Sequence, residues 1–70
     1  MLRLPILRPK DLIKRLEKLG FFIDHQTGSH VIMYRQDDGK RAVVPVHISE
    51  LPKGTLMSIL RESGISRDEL

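Results

Sequence analysis

The sequence predicts an α+β fold: a helix, a three-stranded antiparallel meander and a second helix, with both helices on one sheet face. Three observations carry that reading. Apolar residues repeat at helical spacing near each end of the chain, β-favouring residues fill its middle, and turn formers divide the middle into three runs.

Pro9 suits the first turn of a helix, where its missing N–H costs nothing, and Leu12, Ile13, Leu16 and Leu19 then repeat at helical spacing until Gly20. A helix from about Pro9 to Leu19 follows. Lys10, Lys14 and Lys18 stand at i, i+4 and i+8 on its polar side, joined by Arg15. Such a row of like charges is mildly destabilising unless an anion lies near it. Phe21 to Gln26 reads as a strand, Thr27-Gly28 as a turn, and Ser29 to Arg35 as a second strand. Asp37-Asp38-Gly39 contains the Asp-Gly pair that favours a two-residue hairpin turn, and the valine-rich run Arg41 to Val46 forms the third strand. Pro45 cannot donate a ladder hydrogen bond, which places this strand at a sheet edge. Pro52 can open the second helix, with Leu56, Ile59 and Leu60 as its buried stripe and Gly64 just past its end. Gly54 weakens its first turn slightly. Ser66 to Glu69 has the spacing of a capping box, for one last turn.

Seventy residues, read as one domain over 1–70, leave room for a small core only. The absence of cysteine excludes a disulfide framework and a thiolate metal site, which suits a reducing cytoplasm. Arg3, Pro5, Arg8 and Pro9 interrupt the N-terminal apolar residues before a signal-peptide core or membrane span can form, so no membrane role is expected. Twelve lysines and arginines oppose nine acids, and the pI is about 9.7, as in domains that meet a polyanion. The excess is uneven: residues 1–53 carry ten basic and six acidic side chains, residues 54–70 two and three.

Carboxylates give no set for a two-metal nuclease: Asp37 and Asp38 belong to a turn, and Asp24 stands alone. His25, His30 and His47 lack the spacing of a zinc site, so no metal and no cofactor is expected. Gly28-Ser29-His30 is the most suggestive local pattern. Glycine lets a backbone approach a phosphate, serine offers a hydroxyl, and histidine titrates near neutrality. From chemistry alone, an ordinary turn glycine, strand-start serine and surface histidine outweigh that reading. His47 reads first as a residue that hydrogen-bonds its loop, and second as an acid or base. His25 is balanced between a solvated side chain and a positive neighbour of His30. Lys10, Lys14, Lys18 and Lys53 are candidate phosphate contacts, and a helix N-terminus adds free N–H groups; the alternative is a solvated charged face. Tyr34 and two phenylalanines are too few for a base-stacking platform.

Four features occur together and in order: Leu19-Gly20-Phe21 at the end of the helix, Gly28-Ser29-His30, Val44-Pro45-Val46-His47, and Leu51-Pro52-Lys53-Gly54-Thr55-Leu56 leading to Ile59-Leu60 and Gly64-Ile65-Ser66. In this combination the chain, from about Lys10 to Ser66, resembles the HicA family of bacterial toxin-antitoxin modules. The resemblance implies a double-stranded-RNA-binding-domain-like fold, cleavage of messenger RNA without metal or cofactor, and a HicB-like antitoxin that binds and blocks the toxin. It matches the family's essential histidine to His30. Gly28, Ser29, Lys10, Lys14, Lys18 and Lys53 are then the expected RNA contacts, and no DNA contact is expected of the toxin alone. Members often carry a lysine or arginine just before the motif's glycine, where this chain has His25-Gln26-Thr27. That departure leaves the phosphate-stabilising charge unassigned. The leading expectation is thus a cytoplasmic endoribonuclease toxin in which His30 activates the 2′-hydroxyl. The alternatives are a non-catalytic RNA-binding module on the same surface and a protein-docking domain.

Overall fold

The computed structural model describes residues 4–70. Met1 to Arg3, part of the interrupted apolar segment, lie outside the described residues. The order is α1 (Pro9–Lys18), β1 (Phe21–Thr27), β2 (His30–Arg35), β3 (Arg41–Pro45) and α2 (Lys53–Ser63), followed by a 3₁₀ turn over Arg67–Glu69. The helix, antiparallel meander and helix expected from the sequence are all present.

Proline at the first position of α1 follows an extended Arg8, and Leu12 and Leu16 on one stripe are fully buried. A ten-residue helix is too short to persist alone, so that stripe holds it in place. Gly20, at φ 97°, turns the chain into β1. The sheet order is β1-β2-β3, which leaves Pro45 on an edge strand as its missing donor requires. Val31 and Met33 of β2 and Ala42 and Val44 of β3 are buried at alternate positions, and they form one cluster with Leu12 and Leu16 of α1 and Leu56, Ile59 and Leu60 of α2. Both helices therefore cover the same sheet face. The opposite face carries His30, Ile32 and Tyr34 of β2, paired with Pro45, Val43 and Arg41 of β3.

Two details differ from the sequence reading. The β2–β3 hairpin is wider than two residues: Arg35 and Lys40 close it, with the Arg35 N–H donating to the Lys40 carbonyl at 2.9 Å. Asp38 stabilises the wider loop by accepting from the Lys40 N–H at 3.1 Å and from the Arg35 guanidinium at 3.1 and 2.7 Å. That bidentate hydrogen bond from Arg35 holds the Asp38 carboxyl below its ordinary range. The second detail is in β1, where register shifts between Ile23 and His25. The bulge leaves Asp24 unpaired, so that His25 faces Ile32 and Thr27 faces His30.

At the far end, Gly64 (φ 72°) ends α2 in the left-handed conformation, and the Ser66 N–H donates to the Glu69 carboxylate at 2.9 Å in the anticipated capping box. Ser63, buried on α2, is satisfied by donating to the carbonyls of Ile59 and Leu60.

Candidate active site and nucleic-acid interface

The direction of each element decides what meets at the two ends of the sheet. At one end, the Arg35 guanidinium donates to the Leu19 carbonyl at the close of α1 and stacks 4.8 Å over the Phe21 ring. Arg41 and Glu62 join β3 to the end of α2 at 3.4 Å. The other end holds the β1–β2 turn, the end of β3 and the starts of both helices. There the Leu51 N–H donates to the Leu7 carbonyl at 2.8 Å, tying together the segments that lead into the helices. Neither helix has a side-chain N-cap, and the first turn of α2 contains no acid. Both helix N-termini thus lie at the end of the sheet that carries His30, that of α1 offset by Asp11 in its first turn and that of α2 with no acid to oppose its positive dipole end.

His30 opens β2 directly after the two-residue turn Gly28-Ser29, since Thr27 and His30 are register partners. Gly28 has φ 52° while Ser29, like every other non-glycine among the described residues, does not take a positive φ, the sign pattern of a type II′ turn. A Cβ at Gly28 would meet nothing within 4 Å, so the turn is open to an approaching ligand. His30 is exposed, opposite the buried Val31 and Met33. Its Nδ1 lies 3.4 Å from Ser29 Oγ, a loose contact, and among the described residues Nε2 has no hydrogen-bond partner. When Nδ1 carries the proton and Ser29 Oγ accepts it, Nε2 is a lone-pair base.

The sequence favours a loop role for His47, yet its ring centroid lies 6.1 Å from that of His30, with the planes inclined by 56°. His25 joins the same face through the β1 bulge, diagonal to His30, and its Nδ1 is 2.6 Å from Asp24 Oδ2. An alternation count along β1 without the bulge would have sent His25 to the helix side, so only the Thr27–His30 register exposes this neighbourhood.

The lysines divide. Lys10 and Lys53 stand in the first turns of α1 and α2, at the His30 end. Lys14 and Lys18 are exposed further along α1, which packs on the sheet face opposite His30. At a rise of about 1.5 Å per residue, Lys18 is about 12 Å beyond Lys10 along the axis. Lys10 also borders an apolar groove of about 400 Å³ between α1 and the segment after β3, lined by Arg8, Pro9, Ile13, Val46, Ile48 and Ser49. Among the described residues no three histidine or carboxylate side chains gather so as to hold a metal ion. Nor is any described helix long and apolar enough to cross a membrane.

The helix–meander–helix order and the histidine-bearing open face define an α+β protein of the double-stranded-RNA-binding-like class. Residues 9–65 match the family described as the HicA toxin of bacterial toxin-antitoxin modules. That span is most of the 70-residue chain, and the chain belongs to the HicA toxin family. Membership makes it a toxin component whose counterpart is an antitoxin. No curated protein matches the chain.

Proposed function

We propose that this toxin is an endoribonuclease that cuts messenger RNA in the cytoplasm, with His30 as the base that takes the proton of a 2′-hydroxyl. The observation that carries the reading is the exposure of His30, its Nε2 free, beside an unobstructed glycine turn. RNA brings its own nucleophile, so the protein has to position the 2′-oxygen, accept its proton and steady the phosphate. A base of this kind contributes about 10² to 10⁴ in rate. Gly28 and Ser29 give the phosphate access, and Lys10 and Lys53 with the helix N-termini supply positive potential.

The test is incubation of the purified chain with a generic messenger RNA, with and without a chelator. Discrete fragments formed equally in both are expected, and fragments that vanish with the chelator would overturn the reading. A HicB-like antitoxin is the partner in this scheme, covering the His30 face. Cleavage should stop on its addition; a bound antitoxin that leaves both His30 accessible and cleavage intact removes that assignment.

The lysine row supports binding more than chemistry. Each phosphate contact to a single strand contributes about 0.7 to the slope of log affinity against log salt, so replacing Lys10, Lys14 and Lys18 by glutamine should lower that slope by about 2. The single changes should rank Lys10 first and Lys18 last, following distance from His30. An unchanged slope in the triple variant would mean that the row is a solvated face.

A further inference from the structure

The geometry points to His47 as the second catalytic residue, the general acid that protonates the 5′-oxygen leaving group. The proposal rests on the reading of the chain as an RNA-cleaving enzyme with His30 as base. It starts from how His47 is held. Val46 and Ile48 are half-buried and pack against the core, so the residue between them projects outward. The Val46 N–H donates to the Ser29 carbonyl at 2.7 Å, and Pro45 is the register partner of His30. The backbone on both sides of the pair is therefore fixed by β2–β3 pairing, and the two rings stand 6.1 Å apart at an inclination of 56°.

Rings in van der Waals stacking would compete for one proton; rings at this separation leave a gap. In an in-line displacement the attacking and departing oxygens sit on opposite sides of phosphorus, each needing a proton partner at about 2.6 to 3.2 Å. Two such hydrogen bonds, with the phosphoryl group between them, require partners roughly 6 to 8 Å apart. The ring centroids of His30 and His47, 6.1 Å apart, are separated by a distance of that order. His47 has no hydrogen-bond partner among the described residues. His25, by contrast, is engaged by Asp24 at 2.6 Å.

The step balances without a further reagent. His30 Nε2 takes the 2′-hydroxyl proton as the 2′-oxygen bonds to phosphorus; the bond from phosphorus to the 5′-oxygen breaks, and the imidazolium of His47 gives its proton to that oxygen. The products are a 2′,3′-cyclic phosphate and a free 5′-hydroxyl. Afterwards His30 is protonated and His47 neutral, and exchange with water resets both.

The experiment uses a scission site mapped with the wild-type chain and two oligoribonucleotides, one with the natural 5′-oxygen there and one with sulfur in its place. Sulfur leaves without being protonated, so it removes the need for an acid and for nothing else. His47→Ala should slow kcat on the oxygen substrate by about 10² to 10⁴ with little change in KM, yet cut the sulfur substrate within a few-fold of wild type. His30→Ala should be slow on both. His47→Gln and thermal melts of each variant show whether any loss comes from misfolding. Equal slowing of His47→Ala on both substrates, no slowing on either, or rescue by sulfur of His25→Ala instead would overturn the assignment while leaving His30 as base. A wild-type chain that yields no scission site to map would instead overturn the nuclease reading.

Discussion

Replacing His30 with alanine should abolish RNA cleavage and leave the fold in place. The side chain is exposed at the first position of β2, and its one polar contact, 3.4 Å to Ser29 Oγ, is a weak one. Nothing in the core rests on it, so the melting temperature should move by no more than a few degrees, as for most surface substitutions. RNA affinity should also persist, because phosphate contacts from lysines and helix N-termini do not involve the imidazole. The rate is another matter. Without a base, the 2′-hydroxyl keeps its proton, and a loss of at least the 10² to 10⁴ that a positioned base contributes is expected. A 2′-deoxy substitution at the scission site should give at least that loss in the wild-type chain, since it removes the nucleophile itself. Both results are read from cleavage rates beside circular dichroism and binding curves. A folded His30→Ala chain that cuts at the wild-type rate would remove His30 as the base.

The elements around this site were readable because each has a strong local cause. Pro9 and Gly20 bracket one helix, Pro52 and Gly64 the other, and the alternation of Val31 and Met33 with Ile32 and Tyr34 sorts the two faces of β2. What sequence could not give is register. The bulge at Asp24 follows from no single residue in β1, yet it reverses the face of His25 and Gln26 relative to a straight count. The sequence ranks a loop role for His47 above an acid or base for a related reason. His47 lies beyond the last strand residue, and its proximity to His30 depends on the β2–β3 pairing and on the Val46–Ser29 hydrogen bond, neither of which has a local signature. The β2–β3 loop shows the opposite case, in which a strong local preference yields. The Asp-Gly pair favours a two-residue turn, but in the wider loop Asp38 binds both Arg35 and the Lys40 N–H. His30 at the start of β2 and Lys53 at the start of α2 lie in the elements that the strand and helix readings give them. Helical spacing alone groups Lys14 and Lys18 with Lys10, and it says nothing of the distance to the sheet face that bears the histidines.

Leu12→Ala should unfold much of the protein under ordinary conditions, with activity lost as a consequence. Leu12 is fully buried in α1, in one cluster with Met33 of β2, Val44 of β3 and Leu56 of α2. Truncating a buried leucine costs about 2 to 5 kcal/mol, the larger values applying where the surroundings cannot collapse into the space. A chain of this size has a total stability of about 4 to 10 kcal/mol at 0.05 to 0.15 kcal/mol per residue. The loss is thus a large fraction of the whole, and a shift in melting temperature of more than 10 °C is expected at 4 to 8 °C per kcal/mol. Leu12→Met, which keeps the volume, should cost less than about 1.5 kcal/mol. Phe22→Ala gives the contrast on the open face, where the ring is already 46% exposed and its removal opens no sealed cavity. If Leu12→Ala melts within a few degrees of wild type, α1 does not anchor the core. The approach of its first turn to the β3–α2 connection, held by the Leu7–Leu51 hydrogen bond, would then have to be maintained by that bond and its neighbours alone. Cleavage measured on the same samples separates the two losses: activity should fall in proportion to the folded fraction for Leu12→Ala, and without any loss of folded fraction for His30→Ala.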